Sequence, residues 1–93
     1  MSDTVLDEAV RDLLTATVAA LDLPLPGLDE AAERAYYRLL ELRATDVRAS
    51  LGALADFWHA GSVAMSAADI RRRTAAEPID YAPFVFREEE GAE

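Results

Sequence analysis

The only histidine of the chain, His59, is the first side chain to consider for catalysis or metal binding. Asp56 precedes it by three residues, and an i, i+3 pair shares one face of a helix. Carboxylate-bridged di-iron bundles use Glu-x-x-His at this spacing because both side chains converge on one metal. One hypothesis is therefore a metal protein that uses Asp56 and His59 across a dimer. The competing interpretation is a surface histidine near a helix C-terminus, and we predict no resident metal or cofactor.

Arg71, Arg72 and Arg73 form the one concentrated basic feature of the sequence. They lie in a short helix predicted to open at Ser66, which loosely matches the recognition helix of a helix-turn-helix DNA-binding regulator, with arginines reading guanine or gripping phosphate. Against this, the connector from Ala60 to Ser66 is longer than usual, and no second basic patch supports a docking face. The competing interpretation is a solvated helix end whose cations pair with neighbouring acids.

Most other catalytic chemistry is excluded by residues that the chain lacks. It contains no cysteine, so it has no thiolate nucleophile or thiolate metal ligand, and no lysine, which a P-loop requires. No Gly-x-Ser-x-Gly turn is present, and the four glycines are not clustered. We therefore predict no catalytic residues and a protein that is not an enzyme.

The length and charge of the chain restrict its class further. Its 93 residues fit one domain, predicted over residues 1–87, with an acidic tail over 88–93. Eighteen acidic residues against nine arginines give a net charge of −9, which argues against nucleic-acid and anionic-membrane partners. The sequence predicts neither a signal peptide nor a membrane span, and so a cytoplasmic protein. An acidic inhibitor that mimics the charge of nucleic acid stays open as an alternative.

The first element predicted to position these residues is an amphipathic helix that ends before Pro24 and Pro26. Ser2 or Asp3 is expected to cap it. Its apolar positions repeat at helical spacing: Leu6, Val10, Leu13, Leu14, Thr17, Val18 and Leu21.

A long second helix is predicted from the N-cap Asp29 to about Ala60, with Gly61 ending it. Its apolar positions stay in phase throughout: Tyr36, Leu40, Ala44, Val47, Leu51, Ala55 and Trp58. A break at Thr45 into two shorter helices remains an alternative. A single long helix would extend past the first one, and its first half carries a second apolar line: Leu28, Ala32, Ala35, Leu39 and Leu42. The C-terminal third of the chain, a second copy or another protein must cover these faces.

The rest of the chain is predicted to form a short helix from Ser66 to about Ala76 and an extended aromatic segment. A capping-box spacing opens the helix at Ser66, and Pro78 stops it. The segment from Ile79 to Phe86 either folds back over the Trp58 end of the long helix or docks on a partner.

The sequence therefore predicts an all-α fold, a small bundle or long helical hairpin of three to four helices with an extended aromatic C-terminal segment. The predicted function is a small acidic protein-protein interaction module, which is either a homo-oligomer or an accessory subunit of a larger assembly. Arg34, Arg38 and Arg48 are expected to select the partner by charge. The predicted contact residues are Tyr36, Leu40, Val47, Leu51, Leu54, Trp58, Tyr81, Phe84 and Phe86.

Overall fold

The computed structural model describes the backbone of residues 2–85 and the side chains of residues 4–85. It contains three helices: α1 (Ser2–Leu21), α2 (Glu30–Leu54) and α3 (Ala60–Ala76). The described range has no strand, so the predicted all-α bundle is confirmed. No helix in this range is long and apolar enough to cross a membrane. Phe86, the tail 88–93 and the predicted capping side chains of Ser2 and Asp3 lie outside what is described.

The helices run up, down and up, and Arg43 shows how they are arranged. This side chain lies near the middle of α2, and its guanidinium donates to the carbonyl oxygens of Ala20 and Glu77, at 2.7 and 2.6 Å. The C-terminal ends of α1 and α3 therefore meet beside the middle of α2. The main core lies where the three helices pack together, along the C-terminal half of α2: Leu13, Ala16, Ala20, Val47, Leu54, Val63, Ala67 and Ile70.

The buried face of α1 differs from the predicted stripe. Leu13, Ala16 and Ala20 are buried, whereas the side chains of Leu14 and Val18 are 60% and 65% exposed. Alanines let α1 approach α3 closely enough to enclose Val63 and Ile70, since the distance between packed helices depends on the side chains between them. Only part of the predicted apolar stripe is therefore buried, because hydrophobicity alone does not say which apolar residues fit a narrow interface.

The second helix is shorter than predicted. Asp29 is its N-cap, as expected, and accepts a 2.7 Å hydrogen bond from the amide of Ala32. The helix passes through Thr45 without a break but ends at Leu54, not at Ala60. Leu54 is buried in the core, and the chain turns directly after it. The predicted apolar phase continues to Trp58, but Trp58 lies in this turn.

The third helix begins at Ala60, so the predicted start at Ser66 and stop at Gly61 were both wrong. His59 is its N-cap. The imidazole Nδ1 accepts from the amides of Gly61 and Ser62 at 3.1 and 3.3 Å, and the His59 amide donates to Ser62 Oγ at 3.1 Å. A Cβ at Gly61 would lie 3.1 Å from the imidazole Cε1, so glycine leaves room for this ring over the helix end. A histidine capping box is not among the usual N-terminal sequence signals.

The first half of α2 extends beyond the ends of α1 and α3. The molecule measures 54 × 30 × 17 Å and its radius of gyration is 16.8 Å, against about 12 Å for a compact chain of this length. Ala32 and Leu39 are nevertheless buried there, and Tyr81 lies over them. The C-terminal third of the same chain therefore covers part of the second apolar line, while Leu28 and Leu42 stay exposed.

The described part of the aromatic segment packs internally, but not where it was predicted. Tyr81 is buried against the edge of Tyr36, with ring centroids 5.8 Å apart, and its hydroxyl donates to the carbonyl of Pro24 at 2.5 Å. Backbone hydrogen bonds of 2.8 Å join Gly27 N to Ala82 O and Phe84 N to Leu25 O. Tyr81 thus covers the Tyr36 end of α2, which is the end opposite Trp58.

Candidate interaction surface

Asp56 and His59 do not share a helical face. Asp56 lies in the turn after α2, and His59 is the N-cap of α3, not a residue at a helix C-terminus as expected. The His59 Nδ1 lone pair is already used by two backbone amides, which leaves only Nε2 for any ligand. Within residues 4–85, no three His, Asp or Glu side chains come together in a way that could hold a metal ion.

Each arginine of the basic triplet is paired with a carboxylate. Arg71 donates to both carboxylate oxygens of Asp12 on α1, at 3.0 and 2.5 Å. Arg72 pairs with Asp69, and Arg73 Nε donates to Asp69 Oδ2 at 3.0 Å. The three residues lie in the last part of α3, whereas helix-turn-helix proteins read bases with the start of the recognition helix. The triplet thus joins helices and neutralises local acids.

These pairs shift the ionisation of the acids that hold them. Hydrogen bonding to Arg71 keeps the pKa of Asp12 below its ordinary value. The pKa of Asp69 is also lowered, chiefly because the Ser50 hydroxyl donates to it at 2.8 Å and then because Arg73 does. Both carboxylates therefore stay charged at neutral pH and keep α3 tied to α1 and α2.

A polar cluster surrounds Arg43 at the junction of the three helices. Arg43 is only 4% exposed, and sequence reasoning did not single it out because an arginine in a helix is usually on the surface. Burial, and then the neighbouring carboxylate of Asp46, raises the pKa of Glu77. Within the described residues, Asp46 Oδ2, Glu77 Oε1 and Arg43 Nε are buried without a hydrogen-bond partner. Since the Arg43 guanidinium joins the ends of α1 and α3 to α2, this cluster is structural.

The predicted contact residues lie in three different environments. Val47 and Leu54 are buried in the core, so a partner does not reach them while the bundle is folded. Tyr36, Leu40 and Phe84 are half-buried, and Tyr81 is buried in the second cluster. Leu51 and Trp58 are exposed, Trp58 by 56%. The structure therefore does not gather these residues into one surface, and their contact role stays a prediction.

An apolar surface does lie along α1, on residues of the predicted apolar stripe. We call Leu14, Val18 and Leu21 the outer face of α1. A shallow groove joins the N-terminal half of this face to Trp58, with Val10 and Arg11 on its walls. A second shallow groove runs past Leu14 and Val18 to Asp22. Exposed aliphatic side chains in a row beside an exposed tryptophan are typical of a protein-binding surface.

Charges of opposite sign stand at the two ends of this face. Arg11 lies at the N-terminal end and Asp22 just past the C-terminus of α1, and both line the grooves. Neither side chain forms an ion pair with another residue in the described part of the chain. By contrast, Asp12, one position after Arg11, is held by Arg71. The outer face is thus apolar in the middle and carries unpaired charges at its ends.

Comparison of the chain with protein-family models, curated proteins and solved structures found no match. A functional assignment therefore depends on the residues of this chain alone.

Proposed function

We propose that this protein is a small acidic helical protein-protein interaction module, a homo-oligomer or an accessory subunit of a larger assembly, that binds through the outer face of α1 and Trp58. The observation that carries the proposal is the exposure of Leu14 and Val18 on a helix whose smaller residues Ala16 and Ala20 are buried. A chain that leaves its larger aliphatic side chains in water loses the burial energy of about 1.5–3 kcal/mol that each could contribute. A partner that covers them recovers this energy on binding.

The proposal gives the chain no catalytic role. His59, the one histidine, caps a helix through Nδ1, and the arginines of the basic triplet are engaged with carboxylates. These contacts support a structural use of the residues that could otherwise carry chemistry or contact DNA. The acidic excess on the remaining surface is assigned to solubility and to repulsion of wrong partners.

The test compares variants that alter the outer face with one that alters another exposed apolar site. Leu14→Glu/Val18→Glu places charges on the outer face, while Met65→Glu changes a 74% exposed side chain on α3. All should keep the helical circular dichroism of the wild type, because the altered side chains are on the surface. We expect wild type and Met65→Glu to bind protein, measured by sedimentation of the purified chain and by affinity capture from host extract.

The double variant should lose that binding. If the wild type sediments as a monomer and captures no protein whose binding depends on Leu14 and Val18, the proposed function is wrong.

A further inference from the structure

We propose that the outer face of α1 is covered by the same face of a second copy, with the two α1 helices antiparallel and Arg11 of each protomer paired with Asp22 of the partner subunit. This inference rests on the proposed function and names the partner. It is carried by the spacing of the apolar residues, by the charges at their ends and by the position of Trp58.

The apolar residues of the outer face form a row that a second helix can pack along. Leu14, Val18 and Leu21 are separated by four and three residues, so they project from one side of α1. Val10 continues the row by one turn at the wall of the Trp58 groove. A row at this spacing presents the ridges and grooves that pairs of packed helices use.

The end charges make this row complementary to itself. Arg11 and Asp22 are eleven residues apart, about 16 Å along the helix, and the midpoint between them falls between Leu14 and Val18. A two-fold axis through that midpoint places Leu14 against the partner's Val18. It also places Arg11 of each protomer against the partner's Asp22, which gives two such pairs in the dimer. Such an isologous interface uses one patch on both protomers.

The antiparallel direction follows from the side of the row on which the charges lie. Eleven residues turn a helix by three turns and about 20°, so Arg11 and Asp22 border the row on the same side. In an antiparallel pair, the same side of each helix faces the other, and opposite charges meet. In a parallel pair, Arg11 faces the other side of the row, where its neighbours Val10 and Thr17 carry no charge.

The free charges have no better partner within the described chain. Asp7 lies one turn before Arg11 and shares its groove, yet the two form no ion pair. Trp58 borders the N-terminal half of the row, so the antiparallel arrangement brings it to the partner's Leu21. A tryptophan at that position is the kind of anchor residue that dominates protein interfaces.

The first experiment measures assembly and charge pairing together by sedimentation equilibrium. We expect a wild-type dimer, an unchanged dimer for Met65→Glu, and monomers for Leu14→Glu/Val18→Glu. Arg11→Glu and Asp22→Arg should each weaken the dimer by about tenfold, since each places two like-charge pairs at the interface. The combined Arg11→Glu/Asp22→Arg variant restores opposite charges and should return to within about threefold of the wild type. If it is as weak as the worse single variant, the proposed pairing is wrong.

The second experiment tests whether the two α1 helices are antiparallel. Because the chain contains no cysteine, disulfides can form only between the introduced cysteines. Mixed Arg11→Cys and Asp22→Cys proteins should form a disulfide-linked dimer on mild oxidation, whereas either protein alone should not. Crosslinking of each variant with itself would overturn the antiparallel arrangement.

A monomeric wild type would overturn the second-copy inference. If capture of a different protein still depended on Leu14 and Val18, the proposed function would stand with another partner. If no such capture occurred, both would fail.

Discussion

The two faces of α1 show how the same helix can serve a core and a surface. On the inner face, Ala16 and Ala20 are almost completely buried because α3 lies close against them. On the outer face, the larger Leu14 and Val18 are mostly exposed. On these two faces α1 buries two of its small residues and exposes two of its large ones, which is the reverse of what burial energy alone favours. This difference indicates that close helix packing determines the inner face, and the proposed binding would account for the outer one.

The largest expected effect tests this comparison with the same substitution at neighbouring positions. Leu13 is buried and Leu14 is exposed. Leu13→Ala should lower the free energy of unfolding by about 2–5 kcal/mol, because it removes buried methyl groups and leaves a cavity. Leu14→Ala should change it by no more than about 0.5 kcal/mol. Urea denaturation at a protein concentration that keeps the chain monomeric measures both.

Equal losses for the two leucine variants would mean that Leu14 is also part of the core. The distinction between an inner and an outer face would then be lost.

The next effect concerns Arg43 of α2, which donates a hydrogen bond to the carbonyl of Ala20 at the end of the inner face of α1. Arg43→Met keeps most of the side-chain volume but leaves the carbonyls of Ala20 and Glu77 without this donor. We expect a loss of about 2–3 kcal/mol in the free energy of unfolding. Arg48→Met is the matched control, because Arg48 is exposed on the same helix and makes no ion pair with a described residue. A loss as large in Arg48→Met would show that the effect is not specific to the junction.

The smallest effect concerns the pH dependence of the pair between Asp12 and Arg71. The pKa of Asp12 is lowered in the folded chain, so the unfolded chain binds its proton first as the pH falls. The pair therefore adds stability above the ordinary pKa of 3.8, and this stability is lost as the pH drops through the lower folded value. Thermal unfolding of Asp12→Asn should depend less steeply on pH between about pH 5 and about pH 2 than that of the wild type.

Asp7→Asn serves as the control for the Asp12 variant, because Asp7 is exposed and forms no ion pair in the described part of the chain. Its pH profile should match that of the wild type. Glu77 has the opposite effect on the pH dependence of stability. Its pKa is raised in the folded chain, so its contribution to stability is present at low pH and is lost as the pH rises. An unchanged slope in Asp12→Asn would show that Arg71 contributes nothing to acid stability.

The sequence predicted the elements better than their boundaries and faces. Helical periodicity, the prolines after Leu21 and the Asp29 cap predicted α1 and the start of α2. The turn after Leu54 was missed because no proline or glycine marks it and the apolar phase continues through it. Its signal is the histidine cap with Ser62, which depends on a side-chain geometry that spacing alone does not reveal.

The candidate surface was missed for a different physical reason. Periodicity places Leu13 and Leu14 in one stripe, although they differ by about 100° around the helix. Which of the two is buried depends on how closely α1 approaches α3, and that distance is set by the alanines of both helices. The buried Arg43 was missed likewise, because its partners are carbonyls at two distant helix ends.

The contacts between Tyr81 and the segment after α1 have a consequence for local opening of the chain. They join residues 57 positions apart, and the accompanying amides of Gly27 and Phe84 are hydrogen-bonded although both lie outside the helices. These two amides should therefore exchange their hydrogens with solvent slowly, and at similar rates, since one detachment exposes both. The first half of α2 should lose its cover in the same event, while the three-helix end stays closed.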